Sequence, residues 1–249
     1  EPLFFLDYVG TGRIQPEQVG ALIAGVAEAC GDHGVALLGG ETAEMPGVYP
    51  EGEFDLVGTL VGMVEREHLL DGSRVRPGDL LFGLPSSGLH TNGYSLARRI
   101  VAECLRLKPG DLFPEAGGRS VADVLLEPHR CYLETLRPVL RHPGLHGLAH
   151  ITGGGLPDNL PRALGGLGAR VSRDSIPSLL VFEVLVRAGG VPESDAWRTF
   201  NMGVGMVLAV AEDCAGEILA GLKAGLNQEA GEPFTMGKVV EAAGVAWSD

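Results

Sequence analysis

Four stretches of this chain combine side chains able to move protons or grip charged ligands with glycines that allow close approach. The first is Gly39-Gly40-Glu41-Thr42-Ala43-Glu44-Met45-Pro46. Two carboxylates three residues apart, after two glycines, can hold Mg²⁺, which takes one or two carboxylates plus waters and phosphate oxygens. They can equally bind ligand hydroxyls or amidine nitrogens, or sit at a helix N-terminus where the dipole favours them. The second is Ser86-Ser87-Gly88-Leu89-His90-Thr91-Asn92-Gly93-Tyr94-Ser95. Its hydroxyls, His90 and Asn92 fall between a strand and a helix start, where ligands of α/β proteins collect. His90 can serve as a general acid or base, donate to phosphate, or lie exposed in a polar turn.

The third stretch is His150-Ile151-Thr152-Gly153-Gly154-Gly155-Leu156-Pro157-Asp158-Asn159. Three glycines between a strand and a helix can turn backbone N–H groups toward phosphate, or simply make a tight turn. The fourth is Phe200-Asn201-Met202-Gly203-Val204-Gly205-Met206. Here the alternating glycines leave one strand face bare, and close packing is the favoured reading.

The elements that must position these stretches follow from apolar spacing. Val19, Leu22, Ile23, Val26, Ala27 and Cys30 predict a helix over 17–30, with Pro16 in its first turn. Val35–Leu38 predicts a short buried strand ending at Gly39-Gly40, and Asp55–Val64 a glycine-dotted strand. Leu80–Leu84 is the next strand. Thr91 or Asn92 caps a helix carrying Leu96, Ala97, Ile100, Val101, Cys104 and Leu105. A helix over 128–141, interrupted by Pro138, and a strand over 147–152 follow. Beyond them come a helix over 179–187, a strand over 204–210, a helix over 212–226 and a last strand near Val239. The class is mixed α/β. Turn signals at Asp71-Gly72-Ser73 and Pro77-Gly78-Asp79 place a domain boundary near residue 75, giving domains 1–74 and 75–249.

Composition excludes several classes. The net charge is −13 and lysine occurs only at 108, 223 and 238, so bulk nucleic-acid binding is not expected. A small anionic ligand must instead use arginine, backbone N–H groups or a metal. No apolar run reaches the ~18 residues of a membrane helix. The N-terminus has no basic segment of a signal peptide. Cys30, Cys104, Cys131 and Cys214 are widely spaced and read as buried reduced thiols of a cytoplasmic protein. A Walker loop fails at Gly237-Lys238-Val239, and Gly203-Val204-Gly205 lacks the third glycine of a dinucleotide fingerprint.

Taken together, Pro2-Leu3-Phe4-Phe5-Leu6-Asp7-Tyr8, Gly39–Pro46, Ser86–Ser95, His150–Gly155 and Arg198–Met206 resemble the aminoimidazole ribonucleotide synthetase (phosphoribosylformylglycinamidine cyclo-ligase, PurM) family, in family order. The resemblance implies a two-domain PurM-like fold. Its N-terminal domain forms a homodimer by joining sheets, and the active site is a cleft between the domains. It implies that ATP phosphorylates the amide oxygen of formylglycinamidine ribonucleotide, after which an amidine nitrogen closes the imidazole ring. On this resemblance His90 and Glu41 are the expected catalytic residues, with Glu41 also the expected Mg²⁺ ligand. Glu44, Thr42, Ser87, Asn92, Thr152, Gly153, Gly154 and Asn159 are expected to bind substrate or nucleotide. A phosphate beside His90 favours the protonated ring.

The family carries a further N-terminal segment, of whose D-x4-G-A-x-P signature only Glu1-Pro2 remains here. A partial N-terminal domain and a complete C-terminal one are therefore expected. The alternatives are a related kinase or phosphotransferase of the same fold, a truncated inactive fragment, and a non-catalytic scaffold.

Overall fold

The computed structural model describes residues 1–226 and 231–248. Residues 227–230 and 249, which the expected second domain includes, lie outside the described residues. The chain divides into two compact units, Glu1–Leu69 and Leu70–Asp249.

The first unit runs β1 (Pro2–Thr11), α1 (Pro16–Asp32), β2 (Ala36–Glu44) and β3 (Phe54–Gly62). Pro16 opens α1, where its missing N–H costs nothing. The sheet order is β2-β1-β3, with β2 parallel and β3 antiparallel to β1. Two expectations are corrected here. The strand does not stop at Gly39-Gly40 but runs on through Glu44, because β1 pairs with it from Phe4 opposite Ala36 to Thr11 opposite Glu44. Nor is it buried: Leu38 is 65% exposed, as Leu60 on β3 is 58%. A single 17-residue helix cannot cover both faces of a sheet.

The second unit holds β4 (Leu80–Pro85), α2 (Tyr94–Arg99), α3 (Val121–Leu125), α4 (Leu133–Leu136), β5 (Leu145–His150), α5 (Gly155–Asn159) and β6 (Gly168–Ser172). It continues with α6 (Leu180–Gly189), α7 (Glu193–Thr199), β7 (Val204–Val210), α8 (Ala215–Ala224), β8 (Phe234–Val240) and β9 (Gly244–Ser248). Its sheet has the order β5-β7-β4-β8-β6-β9. Antiparallel pairing dominates, with β6 and β9 the parallel exception.

Three apolar clusters fill this unit. One centres on Leu81, Ile151, Leu156 and Met236, one on Leu89, Ile100, Phe182 and Phe200, and one on Phe82, Leu145, Leu208 and Ile218. The helix after β4 ends in a π-helical turn, Ile100–Cys104. It buries Ala97, Ile100 and Val101 as the spacing requires, but Cys104 is exposed. Of the four cysteines, all unpaired, only Cys30 is buried. Among the described residues no helix is long and apolar enough to cross a membrane.

The helix expected over 128–141 shrinks to α4. Residues 128–132 are held in an irregular path by tertiary hydrogen bonds. Ser87 Oγ donates to Pro128 O at 2.7 Å, and the Tyr132 hydroxyl donates to Pro85 O at 2.9 Å. Those bonds, with Pro128 itself, outweigh a weak helical pattern.

Candidate functional site

In the second unit a loop leaves the end of β4 and carries Ser86 to Gly93. Its backbone is strained: His90 has φ 51° and Thr91 φ 61°, both in the left-handed region. Each such non-glycine residue costs roughly 1–2 kcal/mol, so the surroundings must hold the loop.

Much of the holding is done by Asn201, 2% exposed and outside the sequence-expected site. Its Oδ1 accepts from Ser86 Oγ at 2.8 Å and Gly203 N at 2.9 Å, while its Nδ2 donates to Gly88 O at 2.8 Å. Asn201→Ala leaves these buried partners unmet. We expect a loss of roughly 2–4 kcal/mol, read by urea unfolding; a change under ~0.5 kcal/mol would deny Asn201 this role.

Nor does either expected residue cap α2. Gly93, at φ 76°, takes that position without a side-chain bond. Asn92 Nδ2 and Thr91 Oγ1 instead donate to His90 O, at 2.7 and 2.6 Å. A Cβ on Gly93 would lie 2.6 Å from the Phe200 ring, which is why glycine stands there.

His90 is 1% exposed, so the exposed-turn reading fails. Its Nε2 receives the N–H of Ser87 at 3.0 Å, and that of Arg130 approaches at 3.4 Å. Ser87 Oγ is 2.9 Å from the same nitrogen. Backbone N–H groups only donate, so Nε2 carries the lone pair and the neutral ring carries its proton on Nδ1. That Nδ1 is buried with no partner among the described residues. Burial pushes the His90 pKa down to about 3, with His129, Arg130 and His150 adding repulsion. The ring is neutral at neutral pH.

Two further histidines complete the site, and only His150 lay in an expected stretch. The His129 ring stacks on His90 with centroids 4.0 Å apart and 16° between planes. His129 Nε2 is 3.1 Å from His150 Nε2 at the end of β5. Burial lowers the pKa of both rings, and in His129 the neighbouring His150 adds to the shift. Beneath them, Gly205 on β7 makes room: a Cβ there would sit 1.7 Å from the Tyr132 hydroxyl and 2.9 Å from His90 Cε1. The bare strand face expected of the fourth stretch is thus present at Gly205. Gly203 instead occupies a turn at φ 97°.

The third stretch comes to the same place. A Cβ on Gly153 would lie 3.3 Å from Asn92 Oδ1. Gly154 and Gly155 have φ 94° and 61°. Asn159 braces the turn: its Nδ2 donates to Thr152, Gly153 and Gly155 carbonyls, and its Oδ1 accepts from Thr152 Oγ1. Its amide is occupied inside the chain, so it positions the turn. A cleft of about 280 Å³ opens beside it, lined by His150, Asn159, Arg162 and Asp71 among others.

Glu41, Thr42 and Glu44 belong to the first unit, on β2. Strand alternation sends Glu41 and Glu44 to opposite faces, so they do not converge on one ligand. Glu44 accepts the Ile14 N–H at 2.7 Å. Glu41 is exposed. Among the described residues no group of three or more His, Cys, Asp or Glu side chains is arranged to hold a metal ion.

Residues 76–246 match the family model "AIR synthase related protein, C-terminal domain", and residues 1–64 match the corresponding N-terminal domain. A phosphoribosylformylglycinamidine cyclo-ligase of Geobacillus thermodenitrificans is 46% identical, over 100% of this chain and 70% of its own length. One of Gloeobacter violaceus is 49% identical, over 100% of this chain and 72% of its own. The chain belongs to the phosphoribosylformylglycinamidine cyclo-ligase family. Solved structures share the fold of this chain more widely. A thiamine-monophosphate kinase of Stenotrophomonas maltophilia superposes with TM-score 0.70 at 20% identity, over 99% of this chain and 72% of its own. The hydrogenase maturation protein HypE of E. coli superposes with TM-score 0.69 at 22%, over 100% and 71%. At such identities the likeness is one of PurM-like fold alone, and it leaves the family assignment untouched.

Proposed function

We propose that the chain closes the imidazole ring of aminoimidazole ribonucleotide in purine biosynthesis, in the cytoplasm, from formylglycinamidine ribonucleotide and ATP. The observation that carries this is similarity over the whole of this chain, at 46–49% identity, to 70–72% of proteins named for that cyclo-ligation. The γ-phosphoryl group of ATP passes to the amide oxygen. An amidine nitrogen then attacks the activated carbon, the phosphorylated oxygen leaves as inorganic phosphate, and ADP is released. Phosphorylation converts a poor leaving group into a good one, and the protein supplies positioning and charge stabilisation.

His90 is the proposed centre of this chemistry. Its Nδ1–H, unmet among the described residues, suits a hydrogen bond to substrate phosphate or to the oxygen that becomes phosphorylated, since a buried donor without a partner calls for one. With Nε2 occupied, a neutral donor is favoured over a general base. Ser87, Asn92, Thr152, Gly153 and Gly154 are the proposed ligand contacts, with Asn159 holding their turn. In the first unit Thr42 and Glu44 are proposed for nucleotide or substrate, and Glu41 for catalysis and Mg²⁺. A lone exposed carboxylate fits Mg²⁺, which completes its shell with waters and phosphate oxygens. The ion would neutralise phosphate charge. A homodimer is proposed through the first unit, whose sheet leaves Leu38, Val57 and Leu60 exposed.

The test is product formation with the purified chain and with a form extended at the N-terminus. Imidazole, ADP and phosphate should appear in equal amounts and only with both substrates. ADP released without formylglycinamidine ribonucleotide, and no imidazole formed, would return the chain to the kinase alternative.

A further inference from the structure

The His129 ring is the only imidazole stacked face to face on His90 among the described residues, and both of its nitrogens are engaged. We propose that His129 is a positioning residue, a ring-shaped cover that shuts the His90 imidazole off from water and fixes it over Gly205.

The hydrogen bonds run in one direction. Thr91 Oγ1 gives its proton to His90 O at 2.6 Å, so toward His129 Nδ1, 3.3 Å away, it can only accept. His129 therefore carries its proton on Nδ1. Its Nε2 is left as an acceptor, and the partner at 3.1 Å, His150 Nε2, must donate. The His129 ring is thus pinned at both ends: to Thr91, one of the two strained residues, and to the end of β5. Its flat face meets the imidazole at van der Waals distance. Gly205 also closes on His90, where a Cβ would lie 2.9 Å from its Cε1, and the Tyr132 ring stands edge-on to it, centroids 6.2 Å apart.

Among the described residues the titratable and charged groups facing His90 are His129, Arg130, His150 and Tyr132. Glu127, on the same stretch, is paired with Arg119. Among the described residues no carboxylate is turned to the ring, so water access decides whether it takes up a proton, and the His129 ring limits that access.

The inference rests on His90 being the centre of the proposed ring-closing site, but its test does not. The His90 ring-proton resonance is followed by NMR against pH, without nucleotide or substrate, in the wild type and in His129→Phe, His129→Ala and His129→Gln. The wild type and the phenylalanine variant, which keeps a flat cover, should show no His90 midpoint above pH 5. The alanine and glutamine variants should bring the midpoint up by at least about one unit, toward the ordinary ~6.5 of an open imidazole. They should also add an ionisation near that midpoint to the pH profile of kcat/KM. The glutamine variant keeps a polar reach toward Thr91 without a ring, so it tests the cover if alanine fails to fold. An unshifted midpoint in whichever of these two folds overturns the proposal, and so does an equal shift in the phenylalanine variant. Absence of ring closure in the wild type would overturn the function proposed above while leaving the titration result standing.

Discussion

Replacing His90 with asparagine should lower kcat/KM for ring closure by about 100-fold or more, the usual cost of losing a preorganised donor to developing charge. The form of the loss distinguishes the roles. If the Nδ1–H only holds a bound phosphate, KM rises and kcat stays near wild type. If it stabilises the oxygen as it is phosphorylated, kcat falls. Wild-type values for both would make His90 a structural residue.

A second readout comes from pH. The folded pKa of His90 is pushed down to about 3 by burial and by its His and Arg neighbours, whereas an unfolded histidine titrates near ~6.5. Between those values the unfolded chain binds the proton and the folded chain does not. Stability is therefore unaffected by His90 above about 6.5 and declines as pH falls from there toward 3. His129 and His150, shifted in the same direction, add to the slope. Urea unfolding at pH 7 and pH 5 should show a clear loss in the wild type and a smaller one in His90→Asn. Equal losses would mean that the buried ring is not the group responsible.

Gly205→Ala should damage the floor of the site. The new Cβ would overlap the Tyr132 hydroxyl at 1.7 Å and press on His90 at 2.9 Å, at a buried position of β7. Overpacking of this kind costs roughly 3 kcal/mol, which for a chain of this size lowers Tm by roughly 6–12 °C. Gly216→Ala is the control. A Cβ there meets nothing within 4 Å, and the residue lies in α8, so the change should be neutral or stabilise by up to ~1 kcal/mol. Equal Tm values for the two variants would show that Tyr132 and His90 do not depend on the bare strand face.

The sequence made some of this legible and hid the rest for definable reasons. β4 and β7 could be read because apolar runs are bounded by Pro and Gly, and the described β7 coincides with 204–210. The His90 stretch stood out by its density of small and polar residues. Its burial did not, because burial comes from Tyr132, His129 and Gly205, which lie far away along the chain. His129 carried no local signal: it lies in a segment whose pattern suggested helix, and only the hydrogen bonds of Ser87 and Tyr132 draw that segment onto the loop. Asn201 was visible as part of a motif but not as a brace, since its partners Ser86 and Gly88 are more than a hundred positions earlier. Glu41 and Glu44 looked like a pair because three-residue spacing brings side chains together on a helix. On a strand it separates them.

The sheet order has a consequence for time rather than for geometry. β4, whose end carries the His90 loop, pairs only with strands much later in the chain: Leu80 lies opposite Val210 on one side and Lys238 on the other. The floor of the loop, Gly205, and its brace, Asn201, arrive with the first of those partners. During synthesis the histidine loop must therefore wait, unsupported and unable to hold its left-handed residues, until β7 has emerged. Pairings of such long sequence separation are slow to form, so the site assembles among the last events of folding.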